Sequence, residues 1–265
     1  MAVLVGLYAP NTPSLVGDLG VRHDATLKAL RELGETWGPQ LDAWVVITPH
    51  FVTGGGFGVV YQPTLRQIYD YSGFPPEFYQ IRYVARGHAG VARAIVAAAA
   101  AAGIPAEEVG DAWGMDHGAW SPLLHLNPEG AVPVVPVSIC ATLDEETHRQ
   151  FGRAIAVAAE GFRIGVLATG SLIHRLDLWG GRGGPLPDAA YAFLDRARAA
   201  FAGGVWEPLW ASNPEEMAAA APEGGRRPVA VLRGAVPCFQ GRIAAEEMEF
   251  GAASLTTAEL IPCAS

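Results

Sequence analysis

Ala43-Trp44-Val45-Val46-Ile47 runs without a break into Thr48-Pro49-His50-Phe51. An apolar, β-branched run of this length, stopped by a proline, reads as a strand buried on both faces. Strands of that kind belong to open α/β sheets, and such sheets hold ligands just beyond the C-terminal ends of their strands. His50 stands at that end.

The same pattern recurs outward from this stretch. Ala2 to Tyr8 is an apolar run that leads into the polar turn Ala9-Pro10-Asn11-Thr12-Pro13. Arg163 to Ala168 is another, leading into Thr169-Gly170-Ser171-Leu172-Ile173-His174. Helical spacing or capping residues mark Arg22–Gly34, Gly87–Gly103, Asp144–Ala159, Asp188–Ala202 and Pro214–Ala220 as helices. Further strands are predicted at Phe57–Tyr61, Val132–Ile139, Val229–Leu232 and Ala252–Ile261. Pro133 and Pro136 point to irregular or edge pairing in the second of these, because proline lacks a ladder donor. Arg175 to Leu186 is glycine-rich and reads as a surface loop. Strands alternate with helices with no linker or repeat. The expected architecture is one α/β domain over residues 1–265, a central mixed β-sheet flanked by helices on both faces.

Half of the 265 residues are hydrophobic and 17% are charged, enough to bury a sizeable core. A net charge of −9 argues against nucleic acid or an anionic membrane as partner. No apolar run is long enough to span a bilayer, and the N-terminus lacks the basic region of a signal peptide. Cys140, Cys238 and Cys263 contain no C-x-x-C motif and are expected to be free thiols in a reducing cytoplasm.

Gly114-Met115-Asp116-His117-Gly118-Ala119-Trp120-Ser121-Pro122-Leu123-Leu124 combines an acid, a histidine and two glycines with a proline, a poor helix interior, so it is expected to be a loop. His117 on that loop, with His50 and His174, makes three histidines at strand ends or glycine-rich turns. Three convergent imidazoles could bind a metal, or one could ligate while the others move protons. His23, His88, His125 and His148 fall in or beside helical patterns and are expected to be surface or internally satisfied. Tyr69-Asp70-Tyr71-Ser72-Gly73-Phe74-Pro75-Pro76-Glu77-Phe78-Tyr79 is either a loop packed on the core or the wall of an aromatic pocket. In the second case Tyr71 and Phe74, together with Trp120, would face a substrate. H-E-x-x-H, G-x-S-x-G and G-x-G-x-x-G motifs are absent, which weakens zinc-protease, serine-hydrolase and dinucleotide-binding readings.

Asp116-His117-Gly118-Ala119-Trp120-Ser121-Pro122-Leu123, the Thr48-Pro49-His50 strand end and Gly170-Ser171-Leu172-Ile173-His174-Arg175-Leu176 together resemble the class III extradiol ring-cleavage dioxygenases. The Tyr69–Glu77 stretch is similar to the DOPA-dioxygenase branch, and Leu232-Arg233-Gly234-Ala235 to a segment near the end of the protocatechuate-cleaving branch. The resemblance implies a non-haem Fe(II), zinc in some members, held by two histidines and a third ligand, with open positions for a catecholic substrate and O₂. Carried over by motif, it implies His50 as a metal ligand, His174 as the acid/base and His117 as a histidine facing substrate or oxygen. It also implies pairing with a second copy or a second subunit.

Two positions depart from the pattern. The resemblance places a histidine ligand in the turn after the first strand, where this chain has Asn11. It places a third ligand about eight residues before Arg233, where this chain has Gly225, with Glu223 two residues earlier. The expected metal set is therefore His50, Asn11 and Glu223. The alternative is a member without metal or catalysis, a partner subunit or a binding module for small molecules or proteins, as in the Memo-type branch.

Overall fold

The computed structural model describes residues 3–263, so the expected start of the first strand at Ala2 lies outside the described residues. Eight strands form one sheet: β1 (Val3–Ala9), β2 (Ala43–Thr53), β3 (Phe57–Val60), β4 (Ala106–Val109), β5 (Val134–Cys140), β6 (Ile164–Thr169), β7 (Phe239–Glu249) and β8 (Ala253–Pro262). The helices are α1 (Asp24–Trp37), α2 (Ala89–Ala101), α3 (His117–Leu126), α4 (Glu145–Ala158), α5 (Asp188–Gly203), α6 (Glu207–Trp210), α7 (Pro214–Ala220) and α8 (Arg227–Ala235).

The strand order is β4-β3-β5-β2-β6-β1-β8-β7. The central strands β5, β2, β6 and β1 run parallel, and β8 joins β1 antiparallel to make the sheet mixed. Alternate residues of β2 feed two separate cores. Val45 and Ile47 pack with Phe151 of α4, Phe193 of α5 and Leu232 of α8. Trp44 and Val46 pack with Leu30 and Leu33 of α1 and with Trp120 and Leu123 of α3. Burial on both faces is why the parallel strands are apolar throughout rather than alternating.

Two elements differ from expectation. The Gly114–Leu124 stretch is not a loop throughout, because α3 begins at His117. Asp116 caps it, its carboxylate accepting the Ala119 N–H at 3.1 Å, so that Gly118 and Pro122 are carried inside a helix that strong capping and complete burial hold. Val229–Leu232 is not a strand but the middle of α8, packed on α4; four apolar residues carry no period that separates the two states. β5 is an interior strand between β2 and β3, and of the two pairings its prolines pointed to, irregular or edge, it shows the irregular one. Pro133 precedes the strand, and Pro136 is tolerated because β5 meets β3 in a single bridge, Val59 to Val137, while its ladder with β2 slips between Ile47 and Val52.

β4 and β7 were not foreseen, nor was the pairing of the cysteines. Cys238 and Cys263 form a disulfide that ties the start of β7 to the end of β8, leaving Cys140 as a buried free thiol. The expectation of three free thiols fails because residues 25 apart in sequence become neighbours when β7 and β8 pair. Among the described residues, no helix is long and apolar enough to cross a membrane.

Candidate metal centre and aromatic cavity

Three parallel strands deliver the site. Beyond β1, Asn11 is buried; its carbonyl accepts the Ser121 hydroxyl at 2.9 Å, and its Nδ2 has no hydrogen-bond partner. In β2 the pairing with β5 slips between Ile47 and Val52, so five steps of β2 oppose two of β5. His50 sits on that bulge, a device that re-aims a side chain. The bulge is folded by the Thr48 hydroxyl, which accepts the N–H groups of His50 and Phe51 at 3.2 and 3.1 Å and donates to Asp116 at 2.9 Å. Beyond β6, Gly170 donates to the Ala9 carbonyl at 3.1 Å, and the chain continues through Ser171 to His174.

Glu223 reaches the same place from the turn after α7. Its carboxylate accepts the Ser171 N–H at 3.2 Å, and its own N–H donates to the Ser171 carbonyl at 3.0 Å. Gly224 and Gly225 follow in the left-handed region, at φ +69° and +67°. A Cβ on Gly224 would stand 3.0 Å from Pro49, so the turn can close on the His50 strand end only with glycine there. Gly225, where the resemblance expects a ligand, thus serves as backbone hinge, and the turn presents Glu223 instead.

His50 has acids on both sides of its ring. Its Nε2 lies 2.8 Å from Glu223 Oε1, and its Nδ1 lies 3.3 Å from Asp70 Oδ2. The Glu223 contact is close but off the line of the ring N–H, so Nε2 has no directed hydrogen bond despite its short distance. Burial would lower the pKa of His50, but Glu223, Asp116 and Asp70 outweigh it and raise it to about 9. Burial by itself would raise the Glu223 carboxyl, yet the His50 contact and the surrounding imidazoles hold it below its ordinary value. His174 Nε2 lies 4.0 Å from the same Glu223 oxygen.

His117 is buried at the start of α3. Asp70 accepts its backbone N–H at 2.8 Å and lies 3.0 Å from its Nδ1. The His50 and His117 rings are 4.1 Å apart between centroids. Their close approach needs Gly118, where a Cβ would come within 3.0 Å of the His50 ring, Thr48 and Asp116.

Asn11, His50, His117, His174 and Glu223 all line one cavity of about 590 Å³. Tyr71 and Phe74 form part of its wall, the second of the two readings open for that stretch, with the Tyr71 ring edge-on to His117 at 5.4 Å. Trp120 does not line it. Fully buried, it packs in the core beside α1 and donates its indole N–H to the Ile68 carbonyl at 2.9 Å. Its place three residues after His117 turns it under the helix instead of into the cavity.

Asp70 is the residue that sequence reasoning missed. A lone acid set among tyrosines and a phenylalanine was the available signal. His23, His88, His125 and His148 are internally satisfied, as expected: for example, His148 accepts the Cys140 N–H at 3.0 Å and His88 caps α2.

Two donor sets share His50. On its Nδ1 side, His50, Asp70 and His117 offer ligand atoms within 4.8 Å of one another, a group able to hold a metal ion. On its Nε2 side stands Glu223, and the buried Asn11 amide lines the same cavity. This part of the cavity fits a divalent cation: His50 Nε2 makes no directed hydrogen bond, Glu223 Oε1 stands 2.8 Å from it, and the buried Asn11 Nδ2 has no partner. A half-turn of the Asn11 amide offers its oxygen where Nδ2 stands. One imidazole with two oxygen donors suits Fe(II) and harder ions, and leaves positions open for other ligands.

The sheet also has a solved counterpart. An uncharacterized protein from Escherichia coli K12 shares the fold with a TM-score of 0.73 at 23% identity, covering 97% of this chain and 99% of that one. Among curated proteins, a 4,5-DOPA dioxygenase extradiol of Escherichia coli (strain K12) is 33% identical over 162 residues, 60% of this chain and 58% of that protein. A dioxygenase of Hapsidospora irregularis, tasH, is 39% identical over 124 residues, 46% of this chain and 38% of that one. A 4,5-DOPA dioxygenase extradiol of Beta vulgaris is 37% identical over 108 residues, 40% of each chain. The matched segments thus span about half the length of these relatives or less. A family model, the catalytic LigB subunit of aromatic ring-opening dioxygenase, matches the chain over residues 18–257. Likeness on that scale goes beyond a shared sheet, and the chain belongs to the LigB family.

Proposed function

We propose that the protein is an extradiol ring-cleavage dioxygenase that opens a catecholic or related aromatic ring with O₂ at a non-haem metal. The observation that carries this reading is the convergence of three histidines, Glu223 and Asn11 on one cavity walled by Tyr71 and Phe74. His50, Glu223 and Asn11 would hold the metal, Fe(II) in the first instance and zinc as the substitute. When bound, that ion would lower the pKa of a substrate hydroxyl and give O₂ access to the ring.

The remaining work falls to side chains. His174 is 29% exposed in the cavity and is free to take the proton of a second hydroxyl and return it later. His117 is held through its Nδ1 by Asp70, so its Nε2 is the nitrogen left for substrate or oxygen. Tyr71 and Phe74 stack or edge against a planar ring and keep water from it. The Tyr71 phenol is kept well above its ordinary pKa, chiefly by burial, and donates to the Phe78 carbonyl at 2.8 Å, so it is a fixed wall and not a base. The partners of this reading are a small aromatic substrate, O₂ and a second copy or subunit, in the cytoplasm, with no nucleic acid or membrane.

One observation favours a second reading, a metal-free binding module. His50, raised to about 9, and Glu223 already neutralise each other without any cation. Metal content separates the two. Anaerobically purified protein should bind about one Fe(II) per chain, His50→Ala should abolish that binding, and oxygen uptake should follow catechol addition. A chain that takes up no metal under conditions where a histidine-complete relative loads, yet binds catechols without oxygen uptake, would establish the second reading.

A further inference from the structure

Asp70 touches both His50 and His117, whose rings lie against each other at the cavity, 4.1 Å apart between centroids. Its Oδ1 accepts the backbone N–H of His117 at 2.8 Å, in the first turn of α3, where an anion is favoured by the unpaired amides and the helix dipole. Its Oδ2 lies 3.0 Å from His117 Nδ1 and 3.3 Å from His50 Nδ1. The side chain is only 16% exposed, and its neighbour Tyr71 is part of the aromatic wall. One carboxylate therefore binds the wall, the start of α3 and the Nδ1 edges of two imidazoles into a single unit.

We propose that Asp70 is a positioning residue that keeps hydrogen on Nδ1 of both His117 and His50, turning their Nε2 atoms toward the cavity, and that it is not itself a metal ligand. Both of its oxygens already accept from N–H groups, so a cation on this side would have to displace the ring hydrogen that His117 donates. The ring nitrogen of His50 without a directed hydrogen bond is on its opposite edge, beside Glu223, and Asn11 lines the same cavity. A carboxylate behind an imidazole whose far nitrogen binds metal is the usual means of fixing the tautomer and ring direction of a ligand. What is unusual in this chain is that one acid serves a candidate ligand and a candidate substrate-facing histidine together. Metal and substrate positions would then be set by the same group. The part concerning His50 rests on the metal reading above, and the part concerning His117 stands without it.

Nitrogen-15 spectra of the histidine rings test this directly. In metal-free protein at neutral pH, His117 should be the Nδ1–H tautomer. With Zn(II) bound, which is inert to O₂, the metal-shifted nitrogen of His50 should be Nε2, with Nδ1 still protonated. Asp70→Asn should convert His117 to a mixture of tautomers and weaken Zn(II) binding about 10–100-fold while leaving one site per chain. Asp70→Glu should recover part of both effects. Loss of all Zn(II) binding in Asp70→Asn, with the His117 tautomer unchanged and the fold intact by circular dichroism, would make Asp70 a ligand and overturn the proposal. So would a variant whose tautomers and affinity both match the parent chain. A protein that binds no metal yet shows the tautomer change would remove the metal reading and leave the His117 assignment standing.

Discussion

His50 is surrounded so that its charge is a structural feature of the metal-free protein. Glu223, Asp116 and Asp70 raise its pKa from the ordinary 6.5 to about 9 despite its burial. A histidine whose folded pKa is raised stabilises the fold fully below its unfolded value, and that contribution is lost as pH climbs through the folded value. With divalent ions removed, the melting temperature should therefore fall between pH 7 and 10 more steeply in the parent chain than in His50→Gln. The difference should be on the order of 2 kcal/mol, allowing for solvent screening of a partly exposed side chain. Parallel curves for the two proteins would show that the ion pair contributes nothing. At this scale the sequence was informative where residue type is itself the message: His50, His117, His174, Asn11 and Glu223 all reach one cavity. Trp120 was misplaced and Asp70 missed for one reason. Which way a side chain points depends on where a helix starts and how an irregular segment folds back, and neither is written in the neighbouring residues.

The site is held by two local elements, the bulge in β2 and the first turn of α3, which meet at Gly118. The sequence put a candidate site histidine at the end of β2, but did not show that pairing resumes at Val52 and Thr53, because a bulge is a property of two strands and β5 is remote in sequence. It showed Gly118 and Pro122 of α3 as breakers, while the cap that overrides them depends on Asp116, itself fixed by the Thr48 hydroxyl of the bulge. Gly118→Ala tests how closely the two elements fit. Alanine would favour the helix by about 1 kcal/mol in the absence of neighbours. Here the added Cβ would stand 2.9 Å from Asp116 Oδ1 and 3.0 Å from both the His50 ring and Thr48, none of them the free end of a flexible side chain. The variant should keep nearly the parent melting temperature and lose at least about tenfold in metal affinity, since the elements can relieve the contact only by moving His50. Unchanged affinity in a calorimetric titration would mean that the bulge yields without disturbing the site.

At the scale of the whole chain, the apolar strands β1, β2 and β6 were readable because both of their faces are buried, and the site follows from their parallel C-terminal ends. The β7–β8 hairpin was only half readable. β8 is apolar and buried for most of its length, whereas β7, at the sheet edge, carries Arg242, Glu246, Glu247 and Glu249 in a mixed pattern. The turn of this hairpin contributes Glu249 and Ala253 to the cavity wall, while the Cys238–Cys263 disulfide closes its other end. With 11 residues in β7, those ends lie about 35 Å apart. A cross-link over a separation of 25 residues should restrict the unfolded chain by about 3 kcal/mol. The double variant Cys238→Ser/Cys263→Ser, or the reduced parent, should therefore melt on the order of 10 °C lower while binding metal with the parent affinity and stoichiometry. A fall in metal affinity along with melting temperature would overturn that separation. It would mean that strain at the stapled end travels the length of the hairpin to the cavity, so that thiol redox state reaches the site.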